Sequence, residues 1–547
     1  MEDKYILILG AGLMQKPAIE AARELGLKTL VVDANPAAVC VPFTDRFEPI
    51  DLKDTEKLTK LAQSFGKNLV GVFTAGTDFS TSVSYIAEKC GLPAHSYQAA
   101  LNASNKILMR ECFKKAGVGS PNFLQLDRSQ IASFLQPKTF NTLKFPLVVK
   151  PVDNMGARGC RLIRNADEFL PSVEDAVRNS RSGRAILEDY MEGPEFSIDA
   201  IVYNNTFTIT GFADRHIYYP PYFIEMGHTM PTVIDKQKRM ELIATFAKGA
   251  KALGLSCGVA KADIKYTANG PMIGEIAGRL SGGYMSGWTY PYSSTVHLTK
   301  EAMLVACGLP PEELLQKRYP LPIKDVPFPI YEIPSLRTAA ERAWISIPGR
   351  IKEIIGGDYM QHSPFVKDVL FRSRSGDKVV FPRNNVEKCG NCIAVSNHYD
   401  LAVDAAEYAI SQLLLRLESH NPETEAFLAG KRKKDEDAFP PYAFTLRASE
   451  IQLLKRHARS FPIIPENKKV SEFLPKELER TANRVKDWNH RTMKQSLFLF
   501  DLYIPHHPAI KMQDFWDALI IGGLQGIVYV SDCAKNSENK NKGLLKK

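Results

Sequence analysis

Short apolar runs alternate with helix-periodic stretches between residues 4 and 100. The runs YILIL, KTLVV and LVGVF have the length and composition of buried strands. The stretches AIEAARELG and TEKLTKLAQSFG between them repeat their apolar positions at the helical period. Strands separated by helices at this spacing predict a parallel, doubly wound sheet. We therefore expect an amino-terminal α/β domain over residues 1–104.

The pattern changes after residue 105. A helix is predicted for NKILMRECFKKAG, because it ends at Gly117 as helices commonly do. A smaller α/β subdomain over residues 122–187 follows, with the strands FPLVVKPV and CRLI on either side of the loop DNMGARG. Longer strands come next, ending in the pair GVAKADIKYT and PMIGEIAG. The chain is thus predicted to be multidomain, of mixed α/β and α+β class, with a central domain over residues 105–310.

The carboxy-terminal part divides into three regions. Residues 311–430 hold several short strands and a helix and form an α+β region. The charged stretch at 431–439, KRKKDEDAF, is predicted to be a linker. Residues 440–547 mix helix-like segments with strand-like ones such as FLFDLYI and LQGIVYV, which indicates an α/β-like extension of unassigned role.

Composition narrows the class of protein. Hydrophobic residues make up 44% and charged residues 24%, as in ordinary globular proteins, and the net charge of +9 suits a phosphate ligand. The basic run KRKK is short and flanked by acids, so a nucleic-acid partner is not expected. The amino terminus does not have the form of a signal peptide, and no run of eighteen apolar residues follows, so we expect no membrane partner and a cytoplasmic location.

Cysteine usage agrees with a reducing compartment. The nine cysteines are scattered, and only Cys389 and Cys392 have the CxxC spacing. A single CxxC lacks the second pair that would complete four zinc ligands. We expect these two residues to be small buried side chains rather than metal ligands.

A dinucleotide site is a weak alternative for the first turn. Gly10, Gly12 and Asp33 resemble part of a GxGxxG fingerprint, but Gln15 stands where the third glycine would be.

The first candidate for chemistry is the hairpin that contains Asp263 and Glu275. A two-residue Asn-Gly turn would place these acids on opposite faces, whereas a three-residue loop with Gly270 in the left-handed conformation would place them side by side. Adjacent carboxylates repel each other unless a cation lies between them, and Mg²⁺ is the hard ion that prefers such oxygens. The alternative is a solvated strand pair with two unrelated surface acids.

Groups suited to a nucleotide precede the hairpin. Lys150 closes an apolar strand, and the loop after it offers Gly156, Arg158 and Gly159 to a phosphate. In the segment LEDYMEGPEFSIDA, Glu188 ends one strand and Glu195 begins the next. Acids in buried strands need donors, which an adenosine amino group or a ribose hydroxyl would supply.

Taken in order, these features resemble the ATP-grasp superfamily over residues 1 to about 430. The six features are the doubly wound domain, a helix lysine, a strand lysine, a glycine loop, a glutamate hinge with GPEF, and paired acids on a terminal hairpin. The closest resemblance is to the carboxylate–amine ligases and their carboxylase relatives. It implies an ATP-grasp fold, including a flap at 122–187, between the doubly wound sheet and the carboxy-terminal extension.

The resemblance also implies roles for individual residues. Lys106 and Lys150 correspond to phosphate-binding lysines, and loop 153–159 corresponds to a flap over the phosphates. For the nucleoside, the implied contacts are Glu188 and the backbone of Asp189 to Met191 at the adenine, and Glu195 at the ribose. For the metal and the substrate side, they are Asp263 and Glu275 on Mg²⁺, with Mn²⁺ as the alternative ion, Arg279 at the acceptor carboxylate or its acyl phosphate, and His228 with Glu225 and Arg215 near the substrate.

One departure from the family pattern concerns the metal. Many relatives have Asn two positions after the second metal-binding Glu, whereas this chain has Ala277. The number of metal ions therefore stays open.

The expected activity is that of an ADP-forming ligase, in which ATP phosphorylates a carboxylate and an amine attacks the acyl phosphate. Two alternatives remain. One is a bicarbonate-using carboxylase or carbamoyl-phosphate type of enzyme, and the other is a non-catalytic ATP-binding regulatory protein, suggested by Ala277 and the long extension. The expected partners are ATP, a small carboxylate and an amine, and a homodimer is left open.

Overall fold

The computed structural model describes residues 3–131, 143–430 and 439–544, with side chains as far as Asn536. The chain forms two compact units. Unit 1 comprises residues 1–216, 228–340 and 395–399, and unit 2 comprises residues 217–227, 341–394 and 400–547. The predicted domain boundaries concern smaller divisions than these two units and stay predictions, and the predicted linker lies outside the described residues except for Phe439.

Unit 1 begins with the expected parallel sheet. Its strand order is β3-β2-β1-β4, and all three strand pairs are parallel. Fully buried Ile, Leu and Val side chains fill β1 and β2, which is typical of a sheet covered by helices on both faces. The elements are β1 (Tyr5–Leu9), α1 (Lys16–Glu24), β2 (Lys28–Val32), β3 (Arg46–Glu48), α2 (Thr55–Ser64), β4 (Leu69–Phe73), α3 (Ser80–Cys90) and α4 (Tyr97–Ser104).

The first βα turn is filled by a side chain of the protein itself. The Gln15 amide is buried and donates to the Ala75 carbonyl oxygen at 2.6 Å, and its oxygen accepts from the Ala75 N–H at 2.9 Å. A side chain added at Gly10 would come within 3.3 Å of Gln15. Gln15 thus occupies the space that a glycine at this position would leave open.

The next elements along the chain form a smaller sheet. It is an antiparallel sheet of order β5-β8-β6-β7 that packs against a helix, whose Phe169, Val173 and Ala176 are fully buried. The lysine-bearing strand β6 pairs with both β7 and β8. The elements from residue 106 are α5 (Lys106–Ala116), β5 (Phe123–Asp127), β6 (Leu147–Pro151), β7 (Arg161–Ile163), α6 (Phe169–Asn179) and β8 (Arg184–Asp189).

A second antiparallel sheet carries the predicted hairpin. Its order in unit 1 is β13-β12-β9-β10, and its apolar face packs on α5 and on the long helix α7 through residues such as Ile198, Phe246 and Ile276. The elements are β9 (Glu195–Tyr203), β10 (Thr206–Tyr218), β11 (Ile224–Met230), α7 (Lys236–Leu253), β12 (Gly258–Thr267), β13 (Gly270–Ala277), α8 (Tyr290–Ser294), α9 (Leu298–Ala306), α10 (Glu312–Lys317), β14 (Tyr319–Pro320), β15 (Ile330–Glu332) and β16 (Thr338–Trp344).

Unit 2 has one large core shared by two distant parts of the chain. Residues from Ala343 to Leu417 and residues from Ala443 to Tyr529 belong to the same buried cluster. The elements are β17 (Gly349–Ile355), α11 (Gly357–Gln361), β18 (Val366–Phe371), β19 (Lys378–Val379), β20 (Gly390–Ser396), α12 (Tyr399–Ser411), β21 (Leu414–Leu417), α13 (Pro422–Ala429), α14 (Ala448–Ser460), β22 (Ile463–Ile464), α15 (Glu479–Ala482), α16 (Met493–Tyr503), β23 (Ile510–Lys511) and α17 (Met512–Leu544).

The carboxy-terminal extension is mainly helical, which corrects the α/β-like prediction. FLFDLYI lies in α16 and LQGIVYV lies in α17, and its described strands are the short pair β22 and β23. Helix α17 is kinked at Gly523, where φ is 59°. By length and composition its Met512–Asn536 part could cross a membrane, but 72% of its most apolar window is buried inside the protein, as in a core helix.

Candidate active site

Asp263 and Glu275 are cross-strand partners, but the register arises differently from the predicted one. The turn has two residues, because Thr267 pairs with Gly270, and this register alone would place Gly274 opposite Asp263. A β-bulge shifts the pairing by one residue, because Gly274 of β13 is an extra residue between Glu275, the partner of Asp263, and Ile273, the partner of Ile264. The bulge therefore brings the two acids to the same face of the hairpin, the arrangement for which a three-residue loop was the alternative, although the turn itself has two residues.

Arg110 holds this bulge in place. Its Nη2 donates to the Gly274 carbonyl oxygen at 2.6 Å, and its Nε donates to the Glu188 carboxylate at 2.8 Å. The Lys150 ammonium lies 2.7 Å from the other oxygen of Glu188. Burial alone would raise the pKa of Glu188, but the charges of Arg110 and Lys150 outweigh it and lower that pKa. Glu188 is thus an ionised anchor between two cations.

This arrangement changes the interpretation of Glu188. The prediction placed its side chain at the adenine edge, whereas in the structure its carboxylate is engaged by Arg110 and Lys150. A carboxylate with only 2% exposure and two cationic partners orients those partners. Its described contacts therefore give it the role of positioning Lys150.

Lys106 faces the hairpin from the first turn of α5. The helix begins at this residue because Asn105 caps it, accepting from the N–H groups of Ile107 and Leu108. The buried Lys106 ammonium donates to the Asn154 carbonyl oxygen at 2.8 Å and lies 3.9 Å from Glu275. Burial by itself would lower the pKa of Lys106, but the charge of Glu275 and other nearby anions raises it. The ammonium therefore connects the glycine loop with the acid pair.

Glu275 is strongly acidic. Burial opposes its ionisation, but the charges of Lys106, Lys261 and Arg279 outweigh burial and lower the pKa of Glu275 to about 2. The carboxylate is consequently an anion throughout the physiological pH range.

A chain of alternating charges links the ribose candidate to the metal candidate. Arg215 lies 2.5 Å from a Glu195 oxygen and 3.0 Å from an Asp263 oxygen. Lys265 lies 3.5 Å from the other Glu195 oxygen, and Lys261 contacts Asp263 directly. Both acids thus lie on one polar face of the sheet, where their charges are balanced by three cations.

The glycine loop is short and well defined. Gly156 and Gly159 have φ of 66° and 69°, conformations that favour glycine. A Cβ at Gly159 would approach the Asn179 Cβ to 2.9 Å, so this position also lacks space for a side chain. The Arg158 Nε donates to the Met155 carbonyl oxygen at 3.2 Å. The glycines let the backbone turn back beside Lys106 and Lys150.

The predicted adenine hinge is a strand end fixed by backbone contacts. Asp189 donates its N–H to the Asn122 carbonyl oxygen at 3.1 Å and accepts from the Asn122 side chain at 2.7 Å. The Met191 carbonyl oxygen accepts from Lys265 at 3.1 Å. The role of this segment at the adenine stays a prediction.

Arg279 lies on the loop that follows the hairpin. Its Nε is 3.7 Å from Asp78, a residue of the loop after β4, and its Nη1 donates to the Leu280 carbonyl oxygen at 3.0 Å. The loop itself is tied to Asp199 on β9, which is fully buried and accepts from the Ser281 N–H at 3.1 Å, from the Ser281 hydroxyl and from the Ser286 hydroxyl at 2.6 Å. Burial raises the pKa of Asp199. These bonds fix the position of the loop that carries Arg279.

The remaining substrate-side candidates, His228 and Glu225, both lie on β11. His228 lies on β11 and is buried, with 1% exposure. Glu225, on the same strand, belongs to unit 2, where its N–H donates to the Asn385 side chain and its carbonyl oxygen accepts from Lys388. Their participation in substrate binding stays a prediction.

The donor set fits a divalent ion and a polyphosphate. Asp263 Oδ1 is buried and accepts no hydrogen bond from the described residues, since Arg215 lies near it without hydrogen-bonding geometry. Together with the ionised Glu275 it offers the hard oxygen ligands that Mg²⁺ prefers. Lys106 and Lys150 supply positive charge beside them, as a triphosphate would need.

Comparisons with known proteins agree with this geometry. A family model described as an ATP-grasp domain matches residues 143–287. The chain carries an ATP-grasp domain. Within it lie Lys150, the glycine loop, Glu188, Glu195 and the acid pair, while Lys106 and Arg110 precede it. A model described as L-amino acid ligase C-terminal domain 2 matches residues 343–418, which follow the ATP-grasp domain.

Individual relatives are distant. Carnosine synthase 1 of Gallus gallus is 24% identical over 334 residues, which cover 57% of this chain and 36% of that protein. The alanine–anticapsin ligase of Bacillus subtilis (strain 168) is 24% identical over 296 residues, which cover 50% of this chain and 61% of that protein. The match thus spans well under half the length of the carnosine synthase.

A solved structure shares the fold. The L-amino acid ligase from Bacillus licheniformis superimposes with a TM-score of 0.64 at 20% sequence identity, covering 77% of this chain and all of that one. The superimposed part of this chain therefore shares the fold of that protein.

Several residues of the site were not among the candidates from the sequence. Arg110 lies four positions after Lys106 on α5, so the helical period places both on one face. Asp199 lies four positions after Glu195 on β9, and alternation along the strand places these two on one face of the sheet. Lys261 and Lys265 lie two positions before and after Asp263 on β12, so the same alternation places all three on one face.

Proposed function

We propose that this protein is an ATP-dependent ligase that activates a carboxylate as an acyl phosphate, which an amine then attacks with release of ADP and phosphate. The observation that carries this proposal is the convergence of Lys106 on the hairpin whose bulge aligns Asp263 with Glu275. Two aligned acids beside a buried lysine are better explained by binding of a metal-bound triphosphate than by packing of a protein interior.

In this proposal the chain acts mainly by positioning. Lys106 and Lys150 offset the negative charge of the transferring phosphoryl group, and Glu188 keeps Lys150 in place. Asp263 and Glu275 would hold Mg²⁺, which supplies charge neutralisation at the phosphate oxygens when bound. Arg279 presents a planar pair of donors to the acceptor carboxylate, a geometry that suits carboxylate oxygens.

We further propose that both substrates are amino acids or closely related compounds. Support comes from the names of the relatives, a carnosine synthase, an alanine–anticapsin ligase and an L-amino acid ligase. The match to an L-amino acid ligase carboxy-terminal domain points in the same direction. The cytoplasmic location, the absence of nucleic-acid and membrane partners, and a homodimer remain sequence predictions.

The test is ADP release with the purified full-length protein and Mg²⁺. Pairs of L-amino acids, single amino acids, and bicarbonate with and without amines are screened, and the Lys150→Met variant serves as the inactive reference. ADP release that requires one amino-acid pair, together with a condensed product seen by mass spectrometry, is the expected result. Release with bicarbonate alone would support the carboxylase alternative, and ATP binding without turnover on any pair would support the regulatory one.

A further inference from the structure

A second cluster of ligating side chains lies in unit 2, where α17 passes the loop between β21 and α13. The His420 Nδ1, a carboxylate oxygen of Glu425 and the Cys533 Sγ all lie within 4.8 Å of one another. His420 and Glu425 come from the loop and the start of α13, whereas Cys533 comes from the end of the chain. All three residues belong to unit 2, whereas Lys106, Lys150 and the acid pair belong to unit 1.

One of the three separations is near that of a tetrahedral metal site, and the other two are at most 4.8 Å. Zinc lies about 2.0–2.1 Å from nitrogen or oxygen ligands and about 2.3 Å from sulfur, so tetrahedral ligands are roughly 3.3–3.7 Å apart. The His420 Nδ1 is 3.8 Å from the Glu425 carboxylate. Both side chains are exposed, so small rotations can close the set around the half-buried Cys533.

The loop is fixed against α17 in the geometry that the cluster needs. His420 has a φ of 56°, which non-glycine residues rarely adopt, and its N–H donates to the Cys533 Sγ at 3.4 Å. The next residue, Asn421, donates its N–H to the Tyr529 hydroxyl at 2.8 Å, one helical turn before Cys533. On the other side, Asn536 donates to the Ser419 hydroxyl at 2.9 Å. These contacts between the loop and α17 thus hold His420 beside the Cys533 thiol.

We propose that His420, Glu425 and Cys533 bind one zinc ion, with water in the fourth position. An imidazole, a thiolate and a carboxylate together suit zinc, whereas the sulfur ligand disfavours the hard ions Mg²⁺ and Ca²⁺. On binding, the Cys533 thiol loses its proton to solvent and the sulfur bonds to the metal. The ion would connect the last helix of the chain to the loop that follows β21.

The CxxC pair is not a competing site. Cys389 and Cys392 are buried, and burial raises the pKa of each thiol to about 12. Burial raises the pKa of the Cys533 thiol as well, so the neighbouring side chains and not the thiol pKa distinguish the two places. The structure therefore agrees with the prediction that these two are small buried side chains. Cys533 differs because two further ligating side chains surround it.

The test uses the full-length protein, stripped of metal with a chelator and kept reduced. Cobalt(II) is titrated first, because a thiolate-to-cobalt charge-transfer band reports a sulfur ligand and cannot arise from the Asp263–Glu275 pair. Zinc affinity is then measured by competition with a chromogenic chelator. We expect one equivalent of cobalt to produce the charge-transfer band and zinc to abolish it.

The variants are chosen to preserve the fold. Cys533→Ala should remove the band, and His420→Asn, in which the new residue tolerates the left-handed backbone, should weaken zinc binding by at least about tenfold. Cys90→Ala, a half-buried cysteine of α3 outside the cluster, should bind as the wild type does. Equal thermal midpoints of all variants without metal would show that they are folded. A wild type without the band, or a Cys533→Ala variant with wild-type zinc affinity, would overturn the proposal and leave a surface His–Glu ion pair.

Discussion

Arg110 reaches from α5 to the backbone of Gly274, donating to its carbonyl oxygen at 2.6 Å. The same guanidinium donates to Glu188, which in turn holds Lys150. One fully buried side chain therefore couples the position of a candidate phosphate-binding lysine to the bulge that aligns the two acids.

This coupling makes Arg110 important for both stability and activity. We expect Arg110→Met to lower the free energy of unfolding by about 3 kcal/mol, because it leaves Glu188 with one cation fewer and the Gly274 carbonyl without its donor. Urea denaturation measures the loss. Arg110→Lys keeps the charge but has a single donor group, so its stability should lie between those of the wild type and Arg110→Met. A Met variant as stable as the wild type would contradict the role given to the pair.

Glu275→Gln tests the metal ligands. Replacing the carboxylate by an amide removes a charged oxygen ligand, so Mg²⁺-dependent ADP release should fall at least about 100-fold. The matched control is Glu241→Gln on α7, because Glu241 accepts from the Tyr266 hydroxyl at 2.7 Å and lies outside the candidate site. We expect the control to retain wild-type turnover. Equal rates in the two variants would remove Glu275 from the metal site.

Asp199→Asn tests the positioning of the loop that carries Arg279. The variant keeps the volume of the side chain but has one accepting oxygen instead of two, so the bonds from Ser281 and Ser286 cannot all form. We expect kcat/KM for the acceptor substrate to fall about 10- to 100-fold, with KM for ATP nearly unchanged. Ser286→Ala removes one of the bonds and should have a smaller effect. An equal increase in both KM values would indicate a general loss of structure.

The buried imidazole of His95 should make the stability of the protein sensitive to acid. Its Nε2–H donates to the Val259 carbonyl oxygen at 2.8 Å, and its Nδ1 accepts from the N–H groups of Ser256 and Cys257. A proton on Nδ1 would remove both of those bonds, and burial lowers the pKa of His95 to about 4. The unfolded chain binds this proton near pH 6.5. The stability due to the neutral ring is therefore complete above pH 6.5 and is lost as the pH falls towards 4.

The size of this effect follows from the pKa difference. At 1.36 kcal/mol for each pKa unit, the loss between pH 6.5 and pH 4 amounts to about 3 kcal/mol. Carboxylates also titrate in this range, so the measurement is the difference between wild type and His95→Gln in urea denaturation at each pH. We expect the wild type to lose stability more steeply than the variant. Parallel pH profiles would exclude His95 as the cause.

The sequence predicted the strands and helices around the site better than the contacts that align the side chains of the site. Alternating strands and helices predicted the amino-terminal sheet, and apolar runs on both sides of the glycine loop predicted β6 and β7. The bulge in β13 could not be predicted, since a one-residue change of register depends on contacts such as Arg110 to Gly274 that come from distant segments. Glu188 was recognised as a buried acid in need of donors, but the donors proved to be side chains of the protein.

In the carboxy-terminal extension the hydrophobic pattern did not distinguish helices from strands. FLFDLYI and LQGIVYV are short apolar runs, and periodicity cannot distinguish a buried strand from a helix that is buried on most sides. In the structure α16 and α17 bury Phe500, Leu519 and Ile527 in a common core. Phe498 and Leu502 of α16 are apolar as well but exposed, so apolar residues on both faces of this helix hide its period.

The shared core of unit 2 has a practical consequence for protein engineering. Trp344 and Leu414 precede the charged stretch, Phe444 and Trp516 follow it, and all four contribute to one apolar interior. A chimera joined at residue 430 to a relative with a different tail would combine two half-interiors that were not shaped for each other. Recombination in this protein should instead keep the segment after residue 341 and the carboxy-terminal helices as a single block of sequence.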